Sequence, residues 1–132
     1  MATATYKRGE IRTAMYTAGA DIAVNQVVIL GVVDAKKCRV GVARQAITSG
    51  DAGVVAISGV FEFPKVSAGV IKAGESVNWD SSADSSSGEV DDNAHTTAAG
   101  DVGQFGCAMA DAGNGVTVVD VDISEPGTYD AA

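Results

Sequence analysis

The stretch Gly50–Asp80, GDAGVVAISGVFEFPKVSAGVIKAGESVNWD, decides the fold. From Val54 to Phe63 the side chains alternate. Val55, Ile57, Phe61 and Phe63 share one face with Gly59 among them, and Val54, Ala56, Ser58, Val60 and Glu62 share the other. A period of two over such a run predicts a strand. Glycine inside it marks a bulge or a close backbone approach. Pro64 lacks an N–H, so pairing is expected to end there, with Pro64-Lys65 forming a surface corner. A Gly-containing connection then leads to a second short strand, Ser76–Trp79, with Val77 and Trp79 on one side. No reactive group sits among these strands, so the segment points toward assembly rather than catalysis.

The flanking sequence repeats the pattern. Glu10–Thr17 reads as an edge strand, with Ile11, Thr13 and Met15 on one face. Val27–Val33 is a continuous β-branched run, as in a strand buried on both faces. Asp34–Lys37 is a polar turn, and Cys38–Arg44 alternates with Cys38, Val40 and Val42 together. Near the end, Val102–Ala110 places Phe105, Cys107 and Met109 on one face. Asp111–Gly115 supplies a turn, and Val116–Ile123 points Thr117, Val119, Val121 and Ile123 inward. Asp120 and Asp122 face outward and discourage edge-to-edge pairing. No helix of more than about two turns is predicted, since the candidates 20–25 and 67–72 are short. The boundaries follow. Residues 1–9 read as a flexible arm and 10–123 as a single β domain. Within that domain 80–101 is a long polar acidic loop, and 124–132 is a loose tail. The fold class is all-β, a small barrel or sandwich.

Composition narrows function. Seven of 132 residues are aromatic, so large core-filling side chains are scarce and oligomerisation is expected to add buried surface. A compact chain of this mass exposes roughly 6,400 Å². All nine Lys and Arg lie at or before Lys72. Residues 1–72 net +4, and residues 73–132 carry twelve acidic groups and no basic one. That distribution argues against nucleic acid as the main partner, because counterion release needs clustered cations on a binding face. It fits either a solvated acidic surface or neighbouring copies whose basic and acidic halves face each other. No apolar run approaches the roughly 20 residues that span a bilayer, and no secretory h-region is read near residue 1.

The search for chemistry returns little. His95 is the single histidine, and three- or four-ligand zinc spacing is absent. Asp80, Asp91 and Asp92 do not form a calcium loop, since Ser85 stands where the EF-hand pattern needs glycine. Cys107 with His95 is the one nucleophile–base pairing worth naming, yet Cys107 alternates with Phe105 and Met109 like a small core residue. Cys38 and Cys107 read as reduced thiols, with a single disulfide as the alternative. No catalytic, cofactor or metal site is predicted. Trp79 either plugs the core or sits at a subunit interface, and Phe61 and Phe63 share that ambiguity.

These residues carry a resemblance. Gly41-Val42-Ala43, Ile47, Gly50, the phrase Gly59-Val-Phe-Glu-Phe-Pro-Lys65, Ala73-Gly-Glu-Ser-Val-Asn-Trp-Asp80 and the closing hairpin through Val102-Gly103, Ala108 and Val116–Ile123 resemble the capsid cement, or decoration, proteins of tailed bacteriophages. The resemblance spans most of residues 10–123. It implies a β-tulip or barrel fold that needs no cofactor and has no enzymatic activity. It also implies a homotrimer on the outside of the virion, made in the bacterial host cytoplasm, that bridges neighbouring copies of the major capsid protein. The basic arm and the Ser-rich 80–101 loop depart from the family's pattern. The residues expected to make contacts are Tyr6, Lys7, Arg8 and Arg12 in the arm, the corner Phe61, Phe63, Pro64 and Lys65, and Trp79. The alternative is a β-barrel ligand- or host-surface-binding module that uses the 80–101 loop.

Overall fold

The computed structural model describes residues 2–32, 37–94, 100–124 and 127–130. The chain is almost entirely β, with two antiparallel sheets. Its accessible surface of 6420 Å² matches that of a compact chain of this mass.

The larger sheet runs β1 (Thr5–Arg8), β6 (Val60–Pro64), β10 (Val118–Asp122), β9 (Asp101–Ala108), β7 (Ser76–Asp80) and β8 (Glu89–Asp91). It curls into a half-barrel in which the chain just past β6 reaches β8, leaving β1 at an open edge: Lys65 bridges Val90 in parallel, and the Val66 amide donates to the Val90 carbonyl at 2.8 Å. The smaller sheet runs β3 (Val27–Val32), β4 (Lys37–Ala43), β5 (Ala52–Ala56) and β2 (Thr13–Thr17). A final strand, β11 (Gly127–Asp130), pairs with β9 on one side and β4 on the other, and so ties the two sheets together.

Alternation explains how one sheet serves two cores. In β3, Val27 and Ile29 pack into the main cluster, while Val28 and Leu30 pack into a second cluster with Ala18, Ile22, Ala43, Ile47 and Val55. Of the run expected to be buried on both faces, Val27 and Val28 are buried on opposite faces and Ile29 and Leu30 are half-buried, while the side chains of Val32 and Val33 lie outside the described residues. The second cluster is roofed by the segments before β3 and β5, which join through reciprocal hydrogen bonds between Ile22 and Ile47 at 2.8 and 2.9 Å. The main core is aromatic at its centre. Phe63, Trp79 and Phe105 meet edge to face, with centroids 5.6–6.2 Å apart. Such pairs add about 0.5–1.5 kcal/mol each beyond their area burial.

Several expectations change. The strand expected from Val54 to Phe63 is two strands in different sheets. Gly59 sits at φ +108, a conformation open to glycine, and the chain turns from the small sheet into the large one there. Pro64 does not end pairing: Val118 opposes it, and the Lys65 amide still donates to the Thr117 carbonyl at 2.8 Å. β2 is an edge strand as expected, but its inward face is Ala14 and Tyr16, and Met15 is 66% exposed. In β9, Gln104 takes φ +50 and the register against β7 shifts, so Phe105 enters the core while Cys107 is half-buried and Met109 is exposed. The bulge resets the phase between Val102 and Phe105, both of which are buried, and the three residues expected on one face do not share one environment. Val119, Val121 and Ile123 are buried as expected, and Thr117 is exposed.

The segments read as unstructured also contain pairing. Residues 5–8 of the expected arm form β1, Ala2 and Ala4 are buried, and residues 127–130 of the expected tail form β11. The acidic segment holds β8, which pairs with β7 and buries Val90 completely. Before β8, Ala83–Ser86 makes a single turn in which Asp84, Ser85 and Ser86 are left-handed, with φ of 51, 54 and 72. The turn residues 34–36, the histidine at 95 and the Cys38 side chain lie outside the described residues.

Candidate assembly surface

The nine residues singled out from sequence fall into two groups. Phe61, Phe63, Lys65 and Trp79 are buried within the chain's own core, at 0, 0, 1 and 4% exposure, and Pro64 is half-buried. The expected corner is therefore interior, because β10 and β8 close over both sides of β6. Tyr6, Lys7, Arg8 and Arg12 are exposed.

Lys65 is the most unusual of the buried group. Its Nζ donates to the carbonyls of Val66 at 2.7 Å, Val116 at 3.1 Å, Gly113 at 3.3 Å and Ser67 at 3.5 Å. A buried ammonium is tolerated only when hydrogen bonds replace its hydration. Here one side chain gathers the end of β6 and the 113–116 turn into a cap over the mouth of the curled sheet. Trp79 is set by a different constraint. Gly88 has φ +96, and a Cβ there would come within 2.4 Å of the indole Cζ2, so glycine is what lets the backbone lie against the ring.

The exposed group is organised by β1, which pairs with β6 at Thr5–Glu62, Tyr6–Phe61 and Arg8–Val60, with an irregularity at Lys7. The Tyr6 ring stands edge-on to Phe61 at 5.6 Å, and its hydroxyl donates to the Gly9 carbonyl at 2.7 Å. The Arg44 guanidinium lies 5.9 Å from the Tyr6 ring centre and 5.8 Å from that of Phe61. Lys7 reaches Glu62 at 3.7 Å and Arg8 reaches Asp120 at 4.0 Å. These pairs are solvent-exposed and contribute little stability. What they do is orient a basic strip, Lys7, Arg8 and Arg44, along the open edge of the large sheet. Arg44 is not among the residues singled out from sequence. Its only signal is a cation closing the apolar alternation of Cys38–Ala43.

Opposite in character is the patch around β8. Burial raises the Glu89 carboxyl above its ordinary value of 4.5, and the negative charges of Asp84, Asp80 and Asp91 push it further, while Lys65 pulls it back. Among the described residues no group of three or more His, Cys, Asp and Glu side chains is arranged to hold a metal ion. No described helix is long and apolar enough to cross a membrane.

Residues 6–123 match the sequence profile of phage cement proteins. The chain belongs to the phage cement protein family. The match begins at Tyr6 and ends at Ile123, so it takes in β1 through β10. No curated protein matches the chain. Membership makes this cement protein a structural, capsid-associated phage component located at the virion capsid, in a family that is not an enzyme family. Its partners are capsid proteins.

Proposed function

We propose that this cement protein decorates the outside of the phage head as a homotrimer, joins neighbouring major capsid subunits and so stabilises the shell. Family membership supports the setting. The observation that carries the contact surface is β1, an edge strand whose four residues are all exposed and which presents Tyr6, Lys7 and Arg8 beside Arg44. An open edge offers unpaired backbone groups as well as charge, and partners add strands to such edges. Exposed Met15, at 66%, and Val24, at 52%, give apolar area for packing against other copies. Several modest contacts per copy then sum through effective concentration once copies are joined.

Co-sedimentation with undecorated heads tests the reading. The double substitution K7E/R8E reverses the edge charge without touching the core, and should weaken head binding by more than about tenfold at 0.15 M salt. Light scattering of the free protein should give three times the chain mass. Equal binding of the charge-reversed and original proteins would remove β1 from the interface.

A further inference from the structure

Where the two sheets meet, a cleft of about 420 Å³ opens between the Gly9–Arg12 link, the Ile57–Val60 crossing from β5 to β6, and the exit of β10 at Asp122 and Ser124. Two arginines line it, Arg12 and Arg39. Arg39 projects from β4 and is held in place. Its Nη2 donates to the Ile57 carbonyl at 3.0 Å and the Ser124 carbonyl at 2.9 Å. Its Nε is buried without an acceptor, and its Nη1 makes no hydrogen bond and is not buried. No carboxylate among the described residues forms an ion pair with either arginine. The two acids that share the cleft do not supply one. Asp122 Oδ1 is engaged by the Ser124 amide at 3.0 Å and the Ser124 hydroxyl at 2.6 Å, and Glu10 contributes its main-chain carbonyl to Ser58. Ser58 in turn accepts from the Arg12 amide at 2.6 Å, so the backbone beneath the second guanidinium is also fixed.

A guanidinium is a planar fork suited to carboxylates, and its affinity for one rises when it is held rigid and partly out of water. We propose that this cleft is a carboxylate-binding site that takes an acidic side chain from a second copy of this chain. Arg39, anchored through Nη2, offers Nη1, and Arg12 lines the cleft beside it. A second copy is the favoured donor because residues 73–132 hold twelve acidic groups and no basic one. The 80–92 segment, with Asp80, Asp84, Glu89, Asp91 and Asp92, carries five of those twelve. The site is separate from the β1 edge, and its occupancy does not depend on that edge binding a capsid.

The test is an NMR titration of isotope-labelled protein with a peptide of residues 80–92, and with the same peptide carrying Asn and Gln in place of its acids. The acidic peptide should shift the amides of Arg12, Ser58, Gly59 and Ser124, with binding that weakens as salt is added. Arg12→Gln, whose side chain makes no hydrogen bond in the fold, should weaken that binding about tenfold, the loss of one charge-assisted contact. Shifts equal for the two peptides, shifts at other amides, or binding unchanged by Arg12→Gln would overturn the site. Free succinate forms the second arm. If it moves the same amides and the acidic peptide does not, the donor is a small carboxylate and the assignment to a second copy is overturned.

Discussion

Replacing Lys65 by Met keeps an unbranched chain of similar length in the core and removes only the ammonium. The two shortest of its four carbonyl contacts, to Val66 at 2.7 Å and Val116 at 3.1 Å, have full hydrogen-bond geometry. The other two, at 3.3 and 3.5 Å, are marginal. Hydrogen bonds to a charged group contribute about 1.5–3 kcal/mol each, and an acceptor left unsatisfied costs about 1–3 kcal/mol. Met recovers part of this, because the buried ammonium no longer has to be desolvated. Ser67 and Val116 lie at the surface, where water can replace part of what is lost. The net expectation is a loss of about 2–4 kcal/mol from a total of about 5–15. Urea unfolding followed by the fluorescence of the single tryptophan, Trp79, reads this directly, because the indole is 4% exposed and packed on Phe63 and Phe105. With a slope of about 2 kcal/mol/M the midpoint should fall by about 1–2 M without a change in slope. Glu62→Gln, on the outer face of the neighbouring strand β6, is the control and should shift stability by no more than about 0.5 kcal/mol. A loss below about 1 kcal/mol in Lys65→Met would mean that the carbonyl cluster holds itself together, and the capping role assigned to the ammonium would be wrong.

Three other outcomes are expected. Gly88→Ala forces a Cβ against the Trp79 ring at a positive φ, and should cost about 2–4 kcal/mol and shift the tryptophan emission to longer wavelength. Glu89→Gln should stabilise the protein by up to about 1 kcal/mol at pH 7. The folded chain holds the Glu89 proton more tightly than the unfolded chain does, so the penalty for its ionised form exists above the raised value and disappears as the pH falls through it toward 4.5. The stabilities of the two proteins should therefore converge in mild acid, and a gap that stays constant with pH would contradict the assignment. Tyr6→Ser removes the ring over Phe61 and should cost about 1–2 kcal/mol by thermal melting, with the hydroxyl bond to Gly9 also lost.

Alternation made much of the sheet readable in advance. It found the start of the Val27–Val33 run facing a core on each side and Val119, Val121 and Ile123 inside, because in each the side-chain period is uninterrupted. It failed where one residue changes the phase. Gln104 is not a residue type that announces a positive φ, and its bulge lets both Val102 and Phe105 enter the core although they are three residues apart. β1 and β11 were illegible for another reason. Each is short and polar, and each becomes a strand only because a partner distant in sequence offers an edge. Lys65 shows the limit for sites. A lysine after proline reads as a surface corner, and nothing local reveals that carbonyls from 48 and 51 residues away converge on it. The basic character of the arm was legible, whereas the cleft at Arg12 and Arg39 exists only once the sheets meet.

The double role of β9 reaches beyond packing. It is flanked by β7 on one edge and by β10 and β11 on the other, while β10 also borders β6 and β11 also borders β4. If the chain were divided anywhere between Asn93 and Gly100, the later fragment would be a three-stranded ribbon. Every outer edge of that ribbon has its match in a gap left in the earlier fragment. Neither piece would keep a closed core, since Phe105, Val119, Val121 and Ile123 leave Phe63 and Trp79 behind. The two pieces are thus a lock and its own key, and mixing them should rebuild the fold as a tight two-chain complex.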